Sequence, residues 1–236
     1  MPTFGSLFAG AGLMDLGFEL AGWECKWAVE WDKQACETWK HNRPGMENRI
    51  ICGDVRKATP DQLAEVDLII GGPPCQGFSV ANSSRAHKNG NLSAWRDDHR
   101  NLLYKEFLRL VTALKPKYFV MENVKPMFST GAKETGEPGP IMLDVLDDFT
   151  AAGYRVAAQV LDAADYGVPQ HRKRVFVVGV KADLPDHILY PVQTHGEPGS
   201  GYLPWKTVRE ALAGLPEPGR EVRSRMPQLT LFDLLA

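Results

Sequence analysis

Four groups of residues have the types and spacing to do chemistry. Cys75 follows Gly71-Gly72-Pro73-Pro74, which cuts off the apolar run Val66 to Ile70. Such a run reads as a buried parallel strand, and the prolines fix φ, so the thiol is held at the strand's carboxyl end. A thiol so placed is a nucleophile when a neighbour lowers its pKa or protonates its product; otherwise it is a small buried hydrophobe in a tight turn. Glu122 follows a second apolar run, Tyr118 to Met121. Its carboxyl is therefore partly desolvated, its pKa is pushed up, and a neutral acid becomes a proton donor. In Tyr166 to Arg174, strand alternation puts Gln170, Arg172 and Arg174 on one face and His171 and Lys173 on the other. Glu30-Trp31 and Asp54 add an acid beside a flat aromatic, and a second acid.

The elements that must position these groups read as an α/β chain. Thr3 to Phe8 is a short strand; Ala9-Gly10-Ala11-Gly12 follows and leads into the helical pattern Leu13, Leu16, Leu20. Glycines at a strand-to-helix turn let a ligand approach backbone closely, although such turns also serve only to pack a helix on a sheet. Strand two, Lys26 to Val29, ends at Glu30, and an acid roughly 20 residues past the glycines is where a ribose diol is held. Trp31 offers a face on which adenine stacks. Ile50 to Cys52 is a third strand; beyond it Asp54 either accepts from an adenine amino group or caps a helix. No phosphate-loop lysine motif is present, so adenosine with a small tail fits better than a phosphate-rich nucleotide.

Asn101 to Leu114 is an amphipathic helix, Ser129 to Pro140 a surface loop and Ile141 to Ala152 a helix. Tyr154 to Leu161 and Val175 to Val180 are strands whose connection is too short for a helical crossover, so they pair antiparallel. The expectation is a mostly parallel sheet with an antiparallel pair at the end. A chain of 236 residues, 44% hydrophobic, suits one such unit.

A net charge of -2 excludes a protein that grips nucleic acid with its whole surface. Local charge is another matter. The polar stretch Val80 to His99, with Arg85, His87, Lys88 and Arg96, reads as a lid suited to phosphates. Four cysteines without paired metal spacing indicate no metal site and a reduced, cytoplasmic compartment, and no apolar run is long enough to span a membrane. Beyond Ala182 the composition shifts to Pro, Gly and His, then to one short helix near Val208, then to a basic and finally apolar tail. Residues 1–182 are thus expected to form the catalytic unit, and 183–236 an extension that docks a partner.

Taken in order, Phe4 through Gly12, Glu30-Trp31-Asp32, Gly53-Asp54-Val55, Gly72-Pro73-Pro74-Cys75-Gln76, Arg100 through Leu103, Glu122-Asn123-Val124 and Tyr166 through Arg174 resemble the DNA cytosine-5 methyltransferase family. The resemblance implies a Rossmann-like methyltransferase fold, S-adenosylmethionine as cofactor and DNA as partner. Phe8, Gly10 and Gly12 would line the donor's methionine and adenosine portions. Glu30 would hold its ribose, Trp31 and Asp54 its adenine, and Pro73 and Leu103 would close the pocket. Cys75 would add to C6 of a flipped-out cytosine; Glu122 would donate to N3 and engage the exocyclic amino group; Arg172 would bind O2, and Arg174 would steady the thiol region. Gln76, Ser79, Arg85 and Gln170 would meet DNA. The recognition domain and the returning final helix of typical members have no counterpart among these motifs. Three readings stay open: a catalytic subunit completed by a second polypeptide, a minimal enzyme, and a binding protein that has lost catalysis. The full set of catalytic side chains argues against the third, and the first is the favoured expectation.

Overall fold

The computed structural model describes residues 1–74, 103–134 and 136–215. Cys75, Gln76, Ser79, Arg85, the polar lid stretch and the tail beyond 215 lie outside them. Seven strands form one sheet: β1 (Thr3–Leu7), β2 (Glu24–Glu30), β3 (Ile50–Cys52), β4 (Leu68–Gly71), β5 (Tyr118–Val124), β6 (Tyr154–Asp162) and β7 (Lys173–Lys181). Their order is β3-β2-β1-β4-β5-β7-β6. The first five are parallel neighbours, whereas β7 runs antiparallel to both β5 and β6. The mostly parallel sheet with a terminal antiparallel pair is what the strand patterns and the short 162–173 connection require.

Both faces of the sheet are buried, which is why its strands read as near-continuous apolar runs. Phe4, Leu68 and Ile70 enter one core with Cys36 and Trp39 of α2 (Lys33–His41). Leu7, Val29, Ile69, Phe119 and Met121 enter the other. There they meet Phe107 and Leu110 of α3 (Leu103–Leu114) and Val145 and Phe149 of α5 (Pro140–Ala151). The alternation of Leu68, Ile69 and Ile70 between cores is the strand's two-residue period made visible. Two short helices escape a pattern reading. In α2, Asp32 Oδ1 accepts the Ala35 N–H at 2.8 Å as N-cap. The other, α4 (Lys125–Ser129), is one turn directly after β5.

The turn after β1 is held by a buried polar cluster. Asp15, in the first turn of α1 (Leu13–Leu20), is fully buried and accepts from Ser6 Oγ at 2.6 Å and Trp39 Nε1 at 2.7 Å. Arg43 grips Glu19 through Nε at 2.9 Å and donates from its terminal nitrogen to the Gly12 carbonyl at 2.8 Å. Gly12 has φ 82°, and a Cβ there would lie 2.5 Å from both Trp39 Cδ1 and Arg43 Nη1. Gly12→Ala therefore combines a left-handed backbone with overpacking, and we expect about 2–4 kcal/mol of destabilisation. Thermal unfolding of that variant checks the figure.

Candidate active site

The carboxyl ends of β1, β2, β3 and β4 open onto a cavity of about 500 Å³, a volume usual for small-molecule sites. Its walls include Phe8, Glu30, Trp31, Asp54, Gly72 and Leu103. Glu30 is tied to the glycine turn: one carboxylate oxygen accepts the Gly10 N–H and the other the Asp32 N–H, each at 2.7 Å. Each oxygen keeps a lone pair for a further donor. Trp31 is 70% exposed, so its ring is a free face rather than part of the core. Gly12 packs on Trp39 and Arg43, and Gly10 supplies its N–H to Glu30.

Two expected wall positions differ in detail. Pro73 is buried, its carbonyl accepting from Asn123 Nδ2 at 3.0 Å, and Pro74 lines the cavity in its place. Asp54 lines it too, but its carboxylate receives Arg56 Nε at 2.9 and 3.0 Å and the Arg56 N–H at 3.0 Å, capping the turn Val55–Lys57. Arg56 itself joins the lining, a residue the strand-end pattern did not single out.

A second cavity, about 780 Å³, shares Phe8 and Gly72 with the first. Glu122, Gln170, Arg172 and Arg174 all face it, together with Tyr166 and Phe176. The antiparallel β5–β7 pair explains the meeting, because β7 begins where β5 ends: Val124 lies opposite Arg174 and Glu122 opposite Phe176. Arg174 Nε contacts Glu122 Oε1 at 2.9 Å. Burial pushes the Glu122 carboxyl above the usual carboxylate range, and the charges of Arg174 and Arg172 only partly oppose it. His171 turns the other way, onto Asp162 at 3.1 Å. The alternation read from the sequence thus sets Gln170, Arg172 and Arg174 together and His171 on the other side.

Between the cavities the backbone is constrained. Phe8 has φ 56°, uncommon for an aromatic residue, and residues held so against their preference concentrate at functional sites. A Cβ on Gly72 would lie 3.3 Å from Glu122 Oε2, so the β4 turn approaches the acid closely. Pro74, one residue before Cys75, stands in the first cavity. Asn123 joins β5 to the turn that follows β4 through the Pro73 carbonyl; no local sequence pattern marks that bond.

The family model of C-5 cytosine-specific DNA methylases matches residues 2–213. The chain belongs to the C-5 cytosine-specific DNA methylase family. It is 37% identical over 219 residues to type II methyltransferase M.NgoFVII of Neisseria gonorrhoeae, a match covering 92% of this chain and 54% of that protein. It is 39% identical over 232 residues to type II methyltransferase M.AquIA of Picosynechococcus, covering 89% of this chain and 88% of that protein. A crystal structure of a prophage-encoded Escherichia coli protein described as a DNA modification methyltransferase aligns with TM-score 0.67 and 31% identity, over 92% of this chain and 56% of that one. The chain thus spans about half the length of several relatives and most of M.AquIA. No described helix is long and apolar enough to cross a membrane, and no group of three metal-ligating side chains occurs among the described residues.

Proposed function

We propose that the chain transfers a methyl group from S-adenosylmethionine to C5 of a flipped-out cytosine in DNA. The observation that carries this reading is the pair of cavities joined at Phe8 and Gly72, one suited to an adenosine and the other walled by Glu122, Arg172 and Arg174. The first fits the donor: Trp31 gives adenine a stacking face, Glu30 has lone pairs for the ribose hydroxyls, and Leu103 and Pro74 are apolar walls. When bound, the donor supplies an electrophilic methyl on a sulfonium.

The chain's own residues do the rest. C5 of cytosine is a poor nucleophile until the Cys75 thiolate adds to C6, breaks the ring's aromaticity and moves electron density to C5. Glu122, whose carboxyl burial pushes above the usual carboxylate range, donates to N3 as that charge develops, and Arg172 steadies O2. Arg174 holds Glu122 in place. Loss of the C5 proton to a base and departure of Cys75 restore the ring. The target atom is inaccessible in a duplex, so the base leaves the stack, with the 80–99 stretch as lid and Gln76, Ser79, Arg85 and Gln170 as DNA contacts.

In this reading a second polypeptide supplies recognition. Its support is the set of exposed apolar residues Leu203, Val208, Leu212 and Leu215 near the last described residues, since contiguous apolar exposure marks interaction surfaces. The test is labelled methyl transfer to DNA by the chain alone and with any polypeptide encoded beside it. Transfer only with the second chain is the expected result; no transfer in either case, with donor binding intact, leaves a binding protein instead. For the donor site, Trp31→Ala should weaken S-adenosylmethionine binding by about 1–3 kcal/mol, read by calorimetry. An unchanged Kd removes Trp31 from the site.

A further inference from the structure

We propose that Asp162 is the positioning residue for Arg172, setting the guanidinium on the base side of the site without touching the substrate. Asp162 closes β6 and is 8% exposed. A carboxylate so buried requires partners. Its Oδ1 accepts the Arg172 N–H at 2.8 Å and the Ala164 N–H at 3.3 Å, and its Oδ2 meets His171 Nδ1 at 3.1 Å. The Arg172 carbonyl in turn accepts the Ala163 N–H at 3.1 Å. The backbone on both sides of the Arg172 Cα is therefore fixed to the corner that Asp162 begins, while the side chain projects into the cavity shared with Glu122 and Arg174. Asp162 does not line that cavity; it faces a separate depression with Lys125 and Lys173. Burial alone would raise its carboxyl, but His171 and the two N–H donors hold it below the usual range, so the carboxylate is ionised where it is needed.

The same carboxylate reaches the extension. His171 stands edge-on to Trp205, ring centroids 4.7 Å apart at 87°, and Trp205 Nε1 donates to Asp165 Oδ1 at 3.0 Å. Residues past 183 thus brace the helper of Arg172 rather than hanging free of it. The catalytic part of this inference rests on the cytosine-methylation reading; the holding of the segment does not.

The experiment compares wild type, Asp162→Ala and Asp162→Asn in the form of the enzyme that methylates DNA. Hydrogen exchange of the 168–174 segment is measured beside kcat and the donor Kd. Asp162→Ala should speed exchange there at least about tenfold and lower kcat about 10–100-fold, as misplacement by about 1 Å does, with donor Kd within about twofold. Asp162→Asn keeps an acceptor for the Arg172 N–H and should restore both towards wild type. Unchanged exchange in Asp162→Ala overturns the proposal, as does faster exchange with kcat intact, or donor binding lost in parallel. If wild type methylates nothing, the functional reading fails, and exchange alone still decides whether Asp162 holds the segment.

Discussion

Cys75→Ala abolishes methyl transfer, by on the order of 10⁴-fold or more, while the S-adenosylmethionine Kd stays within about twofold of wild type. The size follows from the chemistry: without addition at C6 the ring keeps its aromaticity and C5 has no electron pair to offer, so no alternative route carries the rate. The spared Kd follows from the layout. The cavity proposed for the donor is lined by Phe8, Glu30, Trp31 and Leu103, with Pro74, the residue before Cys75 in the chain, also in its wall. Single-turnover transfer of labelled methyl to DNA, beside calorimetry of donor binding, checks both halves. Substantial residual transfer would remove the covalent route.

Glu122→Gln lowers kcat by about 10²–10⁴-fold, the range usual for a lost general acid. Glutamine retains an oxygen for Arg174 Nε, so the variant tests the proton rather than the ion pair. Burial raises the Glu122 pKa in the folded chain, so the protonated, donating form is present below that raised value and lost as pH rises through it. The wild-type rate should therefore fall on the alkaline side of that titration, and a pH–rate profile of kcat reads it. Stability has the same sign. The native state binds this proton more tightly than the unfolded chain, so Glu122 contributes stability at acidic pH that disappears as pH rises. At pH 8 Glu122→Gln should melt no lower than wild type; a large drop in Tm there would show that the Arg174 ion pair outweighs desolvation.

Much of this arrangement is legible in the sequence because it is written in short-range patterns. Val66 to Ile70 and Tyr118 to Met121 are apolar runs that end abruptly, so the strands and the residues they deliver, Gly72 and Glu122, follow directly. The two-residue period assigned Gln170, Arg172 and Arg174 to one face, and the structure sets them in one cavity. What escaped depends on contacts between distant segments or on choices that sequence does not bias. Adjacent prolines face opposite ways, and nothing local decides that Pro74 rather than Pro73 meets the cavity. Asn123 reaching Pro73, and Asp162 reaching Arg172, are single hydrogen bonds across turns of the chain, with no period to announce them. The cap reading of Asp54 holds, but a cap calls only for the backbone N–H, and nothing in that pattern announces the side-chain fork of Arg56 on the same carboxylate.

The most direct measurement is nucleoside mass spectrometry of mixed-sequence DNA after incubation with S-adenosylmethionine and the enzyme, as the chain alone and with its neighbouring polypeptide. The account predicts 5-methyl-2′-deoxycytidine as the new nucleoside, absent when Cys75→Ala replaces wild type. Methyl found instead on an exocyclic amino group, or on C5 with Cys75→Ala fully active, would contradict it.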